Sequence, residues 1–326
     1  DNYLHEEPYT STLQQMGIEV LYGQEYLTGI WDWLVKKGKD IHVAYLNRPH
    51  IATKYVDFIK EHTDIKMIYY GHDLHFMREF REYELTGDVK KRQESEYWKS
   101  IEFSLFHKVA VSYYPSYVEE EAIHAVDETI PVKAITAYVY EEFLQNLNKD
   151  FAKREGLLFV GGFAHPPNAD AVLWFAKEVF PKIREQLKVN FYIVGSKVTD
   201  EIKALEQPGN GIIVKGFVSE EELADLYRNC RIVVVPLRYG AGVKGKVVEA
   251  IYNGAPIVTT SVGSEGIPDV EKARQPMFTT GGAERSGMGF TIMESFMDQL
   301  SVRSAAGKGT TVVMKKRLAS RVKAAK

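Results

Sequence analysis

The stretch Val233–Thr260, VVVPLRYGAGVKGKVVEAIYNGAPIVTT, decides the fold. Its β-branched opening ends at Pro236 and reads as a buried strand. The glycine-rich loop YGAGVKGK then leads straight into a helix expected over 245–253, which closes at Gly254. A further strand, PIVTTS (256–261), begins at once. Strand, loop, helix and strand in that order make one unit of a parallel α/β sheet. Gly240, Gly242 and Gly245 free backbone amides, Lys244 and Lys246 add positive charge, and the helix N-terminus points its dipole at the same place. Together these features suit a diphosphate. Glu249, one turn into the helix, is placed to accept hydrogen bonds from ribose hydroxyls.

Working outward, the same rhythm recurs twice. Upstream of the quoted stretch lie LLFVGG (157–162), NFYIVGS (190–196), GIIVKGFV (211–218) and RIVVVPL (231–237), with helices expected over 168–187, 200–206 and 220–229. Gly161 and Gly162 end the first of these strands and let a ligand approach the backbone, and the Pro-Pro-Asn turn that follows starts a helix. In the N-terminal half, IEVLYG (18–23), IHVAYLN (41–47), KMIYYGHD (66–73), HKVAVSYY (107–114) and VKAITAYV (132–139) read as strands, and the longest helical stretch runs from about 76 to 106. The charged segment 140–156 is the natural boundary. The expected organisation is an N-terminal Rossmann-like domain over 1–150, a second over 151–267, and a tail over 268–326. The chain starts at Asp1 with no strand ahead of its first helical stretch, so the first domain is expected to be truncated.

Composition narrows the class. The 326 residues are 45% hydrophobic and 26% charged, which suits domains with full cores. No apolar run reaches the ~18 residues that span a bilayer. One cysteine, Cys230, excludes an intrachain disulfide and a cysteine metal cluster. A cytoplasmic location is expected, with peripheral contact at the inner membrane face as the alternative. The residues from Asp269 on hold eleven Lys/Arg against five Asp/Glu. No aromatics interleave the charges from Arg303 on, so a solvated basic end is preferred over a nucleic-acid surface.

FVGGFAHPPNADAVLWF, FYIVGS, the run VKGFVSEEELADLYRNC joined to the quoted stretch, and GSEGI together resemble the donor-binding domain of group 1 (family four) retaining glycosyltransferases of GT-B fold. The resemblance implies a nucleotide-sugar donor and a glycan, surface-polysaccharide or lipid-linked acceptor, with no metal and no bound cofactor. It implies that Glu249 holds the ribose, that the loop with Gly240, Gly242, Lys244 and Lys246 cradles the phosphates, and that the backbone at Phe217 and Val218 borders the base. Gly161 and Gly162 belong to the same donor site. His72, in YYGHD at the end of a strand, matches the histidine that reaches the sugar, so His72 and Lys244 are the catalytic candidates. Two departures stand out. Many members carry a Glu eight residues before the ribose-binding one, where this chain has Ala241; a basic residue common after the first glycines is replaced by His165. Arg238 joins Lys244 and Lys246 as a source of the missing charge.

After Ile267 the rhythm changes. GIPDVEKARQPMFTT, ERSGMGFTIMESFMD and KGTTVVMKKRL, within about 266–318, resemble the sporulation-type anti-sigma-factor serine kinases of the GHKL ATPase superfamily. A helix is expected over 287–298 and a β-hairpin from LSVRS (300–304) and TTVVMKKRL (310–318). In that family Gly287, Gly289 and Thr310 would be ATP-lid and strand positions, but the adenine-reading Asp falls at Val262 and the first glycine of its motif at Ser264. The implied picture is a fusion near Gly266–Ile267 of two incomplete parts. Beside an impaired glycosyltransferase, the alternatives are a regulatory module with a sigma factor as partner, or a chimera without function.

Overall fold

The computed structural model describes residues 3–135, 140, 144, 150, 152–265, 299–305 and 309–315. It divides into two compact units. One comprises Asp1–Phe76 and Lys90–Ile135; the other comprises Met77–Val89 and Thr136–Lys326.

The first unit begins with α1 (Tyr9–Gln15) and α2 (Gln24–Lys37), then alternates β1 (Val43–Asn47), α3 (Pro49–His62) and β2 (Lys66–Tyr70). Next in the chain come α4 (His75–Thr86), α5 (Val89–Phe106), β3 (Val111–Tyr114), α6 (Tyr117–His124) and β4 (Val132–Ala134). Its sheet has the order β1-β2-β3-β4, every pair parallel. Tyr69, Phe106 and Tyr114 are fully buried beneath it.

Two expectations need correction here. IEVLYG (18–23) forms no strand: the Ile18 N–H returns to the Leu13 carbonyl at the end of α1, and the Gly23 N–H donates to Tyr3. Its β-branched composition reflects part-burial beside a helix end, not sheet pairing. The long helix of 76–106 is two helices. The Thr86 hydroxyl closes α4 on the Glu82 carbonyl and accepts the Asp88 N–H, so the chain turns there before α5 begins.

In the second unit β5 (Glu155–Val160) is followed by α7 (Pro166–Trp174), a single π-helical segment (Phe175–Val179) and α8 (Phe180–Gln186). The chain continues through β6 (Phe191–Val194), α9 (Asp200–Lys203), β7 (Ile212–Gly216), α10 (Glu220–Asn229), β8 (Cys230–Val235), α11 (Gly245–Tyr252) and β9 (Ile257–Thr259). All five expected strands of this half are present. The sheet order is β7-β6-β5-β8-β9, all parallel. Connections run one way from β5 and the other way from β8, so these neighbours flank the topological switch point where ligands of such sheets bind. Phe159, Phe180, Phe191, Ile193, Val233 and Val235 form the centre of its core.

β10 (Gln299–Ala305) and β11 (Gly309–Lys315) pair antiparallel, with Gln299 opposite Lys315 and Ala305 opposite Gly309. The expected hairpin is there. The helix expected over 287–298, and Gly287 and Gly289 within it, lie outside the described residues.

Candidate functional site

The site is built from the loops after β5 and β8. Pro236 ends β8, and the chain passes Leu237 to Val243 before α11. Gly240 and Gly242 have φ of 140° and 76°, so the loop takes a path that other residues rarely adopt. No side chain caps α11, whose N-cap residue is Lys244. The Val247 N–H donates to the Lys244 carbonyl at 2.9 Å, and the amides at the very start of such a helix are oriented to meet an anion. Lys244 Nζ donates to the Gly242 carbonyl and lies 3.8 Å from Glu265 Oε2.

Lys246 turns the other way. Its ammonium donates to Asn168 Oδ1 at 2.5 Å and stands 4.6 Å from the centre of the Phe159 ring. Asn168, in the first turn of α7, in turn donates to the Gly162 carbonyl at 2.9 Å. Lys246 thus ties α11 to the Gly161–Gly162 turn through an amide. The residue as a whole is half-buried, but its charged end is enclosed. Burial, aided by the nearby charge of Lys244 and opposed by that of Glu249, lowers its pKa to about 7. Near neutral pH it is only a part-time cation, which the sequence does not reveal.

Arg238 is engaged as well. Its guanidinium grips both carboxylate oxygens of Asp170 on α7, Nε at 2.8 Å from Oδ2, and this pairing raises its pKa. It braces the two loops against each other and is already matched by one carboxylate. Glu249 sits one turn along α11 and accepts a 3.0 Å hydrogen bond from the Tyr227 hydroxyl at the end of α10. Tyr227 is fully buried, and burial reinforced by the carboxylate pushes its pKa far up, so the phenol remains a donor. One carboxylate oxygen is thereby fixed in direction. Phe217, directly after β7, is 81% exposed, while Val218 packs against the core. An unsupported aromatic face at a strand's C-terminal end suits stacking by a flat ring. Ala241 is buried and brings no polar group to the loop.

In the first unit His72 follows β2, its ring edge-on to Tyr70 with centroids 5.2 Å apart. Burial and the charge of Arg48 lower its pKa, against the pull of Asp73, so the imidazole is neutral at pH 7. Beside it, the buried Glu102 of α5 accepts the N–H groups of His75 and Phe76 at 2.9 and 3.1 Å, and so caps α4. Among the described residues no cluster of three or more His, Cys, Asp or Glu is arranged to hold a metal ion. No described helix is long and apolar enough to cross a membrane.

Residues 154–285 match the family model described as Glycosyl transferases group 1. The second unit carries a group 1 glycosyltransferase domain. Among solved structures, the chain is similar to sucrose-phosphate synthase from Thermosynechococcus elongatus, with a TM-score of 0.58 and 16% identity over 78% of this chain and 66% of that one. It is also similar to S. aureus TarM, seen with fondaparinux, alpha-GlcNAc-glycerol and UDP, with a TM-score of 0.55 and 14% identity over 74% of this chain and 47% of that one. At such identities the likeness shows the fold, which is of GT-B type.

A separate similarity accompanies the glycosyltransferase domain. Over 55 residues the chain is 66% identical to the anti-sigma F factor of Geobacillus kaustophilus, covering 17% of this chain and 38% of that protein. The counterpart from Clostridium acetobutylicum is 56% identical over 55 residues. The chain spans roughly two fifths of the length of these curated relatives and two thirds of the synthase chain.

Asp170, Asn168 and Tyr227 are the supporting residues that the sequence reading passes over. Asn168 stands inside a quoted motif, where a polar residue in the first turn of an apolar helix is the signal to follow. Tyr227 and Asp170 carry no local signal, because their partners come from other elements.

Proposed function

We propose that the chain transfers a sugar from a nucleoside diphosphate donor to a glycan or cell-surface polysaccharide acceptor. The observation that carries this reading is the Gly240–Gly242–Lys244 loop opening onto α11, with Glu249 held by Tyr227 one turn beyond. The loop amides, the N-terminus of α11 and Lys244 would bind the diphosphate and stabilise the charge that gathers on it as the glycosidic bond breaks. Glu249 would take the ribose hydroxyls with the carboxylate oxygen that Tyr227 leaves unengaged. Phe217 and the backbone at Val218 would border the base. His72, neutral at pH 7, is the proposed histidine for the sugar hydroxyls, with no metal or cofactor required. Calorimetry with UDP-, GDP- and dTDP-sugars tests the reading. A folded chain that gives no heat with any of them refutes it.

The 55-residue identity to anti-sigma F factors favours a second reading, a regulatory module that binds a sigma factor and nucleotide. We place it second because the positions that would read adenine are filled by Val262 and Ser264. Fusion of a glycosyltransferase part with an anti-sigma-like part, with glycosyl transfer impaired, is the reading that accommodates both similarities. Magnesium-dependent ATP binding, or capture of a sigma factor by the purified chain, would place the second reading first.

A further inference from the structure

Arg81 belongs to none of the motifs that mark the nucleotide site, yet three of its hydrogen bonds end there. It lies on α4, whose residues from Met77 on belong to the second unit. Nη1 donates to the Gly240 carbonyl at 2.6 Å and to Glu265 Oε2 at 2.9 Å, and Nη2 donates to Glu265 Oε1 at 2.6 Å. Glu265 Oε2 is also the oxygen 3.8 Å from Lys244 Nζ. The Arg81 side chain is three-quarters buried, and those of Glu265 and Lys244 are about nine-tenths buried. These charges are therefore withdrawn from bulk water, unlike surface pairs that contribute little.

The bond to Gly240 matters most. A peptide unit is planar and trans, so the Gly240 carbonyl and the Ala241 N–H point in opposite directions from one rigid plate. Gly240 itself has φ of 140° and lacks the side chain that would otherwise restrict this plate. With the carbonyl tied to Arg81, the Ala241 N–H is aimed away from Arg81. The forked grip on Glu265 meanwhile places a carboxylate against Lys244. One guanidinium thus sets the direction of a loop amide and the surroundings of a loop cation.

We propose that Arg81 is a positioning residue for the diphosphate-binding loop. It acts through the Gly240–Ala241 peptide and through Glu265, and does not itself touch phosphate. The inference rests on the nucleoside-diphosphate reading above. It also separates two roles for an arginine here: a charge that attracts phosphate would survive replacement by lysine, whereas a fork that holds a carbonyl and both oxygens of a carboxylate would not.

The test uses the full chain and whichever of UDP, GDP and dTDP wild type binds by calorimetry, with the matching nucleoside as control. Arg81→Ala and Arg81→Lys are each expected to lower diphosphate affinity about tenfold, while affinity for the nucleoside changes less than twofold. Glu265→Gln alone should weaken the diphosphate, and added to Arg81→Ala it should cost little more, since both remove one device. Wild-type affinity in Arg81→Lys would overturn the proposal, as would an equal loss for diphosphate and nucleoside, the mark of a general disturbance of the fold. Unchanged binding in Arg81→Ala would overturn it too. Failure of wild type to bind any of the three diphosphates would instead refute the functional reading beneath it.

Discussion

Replacing Lys246 with Met examines the candidate anion site through the acid–base behaviour of one ammonium group. Met keeps a stem that runs beside Phe159 and deletes the charge. In the folded wild type the lysine titrates near pH 7, against an ordinary value of 10.5, chiefly because it is buried. The unfolded chain keeps the ordinary value. Between about pH 7 and 10.5 this group binds more protons in the unfolded chain than in the folded one, so its own contribution to wild-type stability rises with pH across that window. Below pH 7 the buried ammonium carries its full cost, about 5 kcal/mol at ~1.4 kcal/mol per pKa unit. By pH 9.5 most of that cost is gone. Lys246→Met carries none of it at either pH. The stability difference between the two chains should accordingly shift by about 3 kcal/mol in favour of wild type from pH 6 to pH 9.5. Loss of the hydrogen bond to Asn168 adds an offset common to both conditions, so the shift is diagnostic and neither difference alone is. Urea unfolding followed by circular dichroism at the two pH values measures it. A shift below ~0.5 kcal/mol would show that the ammonium is solvated, and the enclosure inferred for it would be refuted.

Glu249→Ala should weaken nucleoside diphosphate binding by about 1–3 kcal/mol, and Tyr227→Phe by a smaller amount in the same direction, since it frees a carboxylate that was fixed; normal binding by Glu249→Ala in calorimetry would contradict the ribose assignment. Lys244→Ala should lower the same affinity and, because its buried ammonium faces Glu265, the melting temperature as well; unchanged diphosphate affinity in calorimetry would contradict its place in the loop. At Gly195 an added Cβ would lie 1.9 Å from the Gly161 carbonyl oxygen. Gly195→Ala should therefore displace the β5 loop and cost more than ~2 kcal/mol in denaturant unfolding; a near-neutral result would show that the turn is loosely held.

The strands of both sheets are legible because burial on two faces demands unbroken β-branched and aromatic runs, such as LLFV and IVVV, and because glycines punctuate their ends. The loop at 239–246 is legible for a related reason: the positive φ of Gly240 and Gly242 is a path that selects glycine. IEVLYG shows the limit, since the same composition serves a segment that only packs beside α1. What escapes is pairing at a distance. Arg238 reads as a spare cation until Asp170, 68 positions away, is seen to hold it. Lys246 reads as a permanent charge until its partner Asn168, 78 positions away, and the Phe159 ring are in place. Arg81 is 159 positions from Gly240 and 184 from Glu265. Such contacts depend on which elements the fold brings together, and no local period or spacing records that.

The reversal at β5 and β8 bears on how such a chain can be rebuilt. Neighbouring strands send their loops to opposite sides of the sheet, so the opening between them exists before any side chain there is chosen. Leu157–Phe159 and Val233–Val235 maintain the frame from the core; the segments 161–170 and 236–246 furnish only its lining. A change in what the opening accepts can therefore be sought by exchanging those two segments as a matched pair with another protein of the same strand order. Exchanging one alone would part Lys246 from Asn168 and Arg238 from Asp170. The two loops are thus a single interchangeable part, although the chain writes them some seventy residues apart.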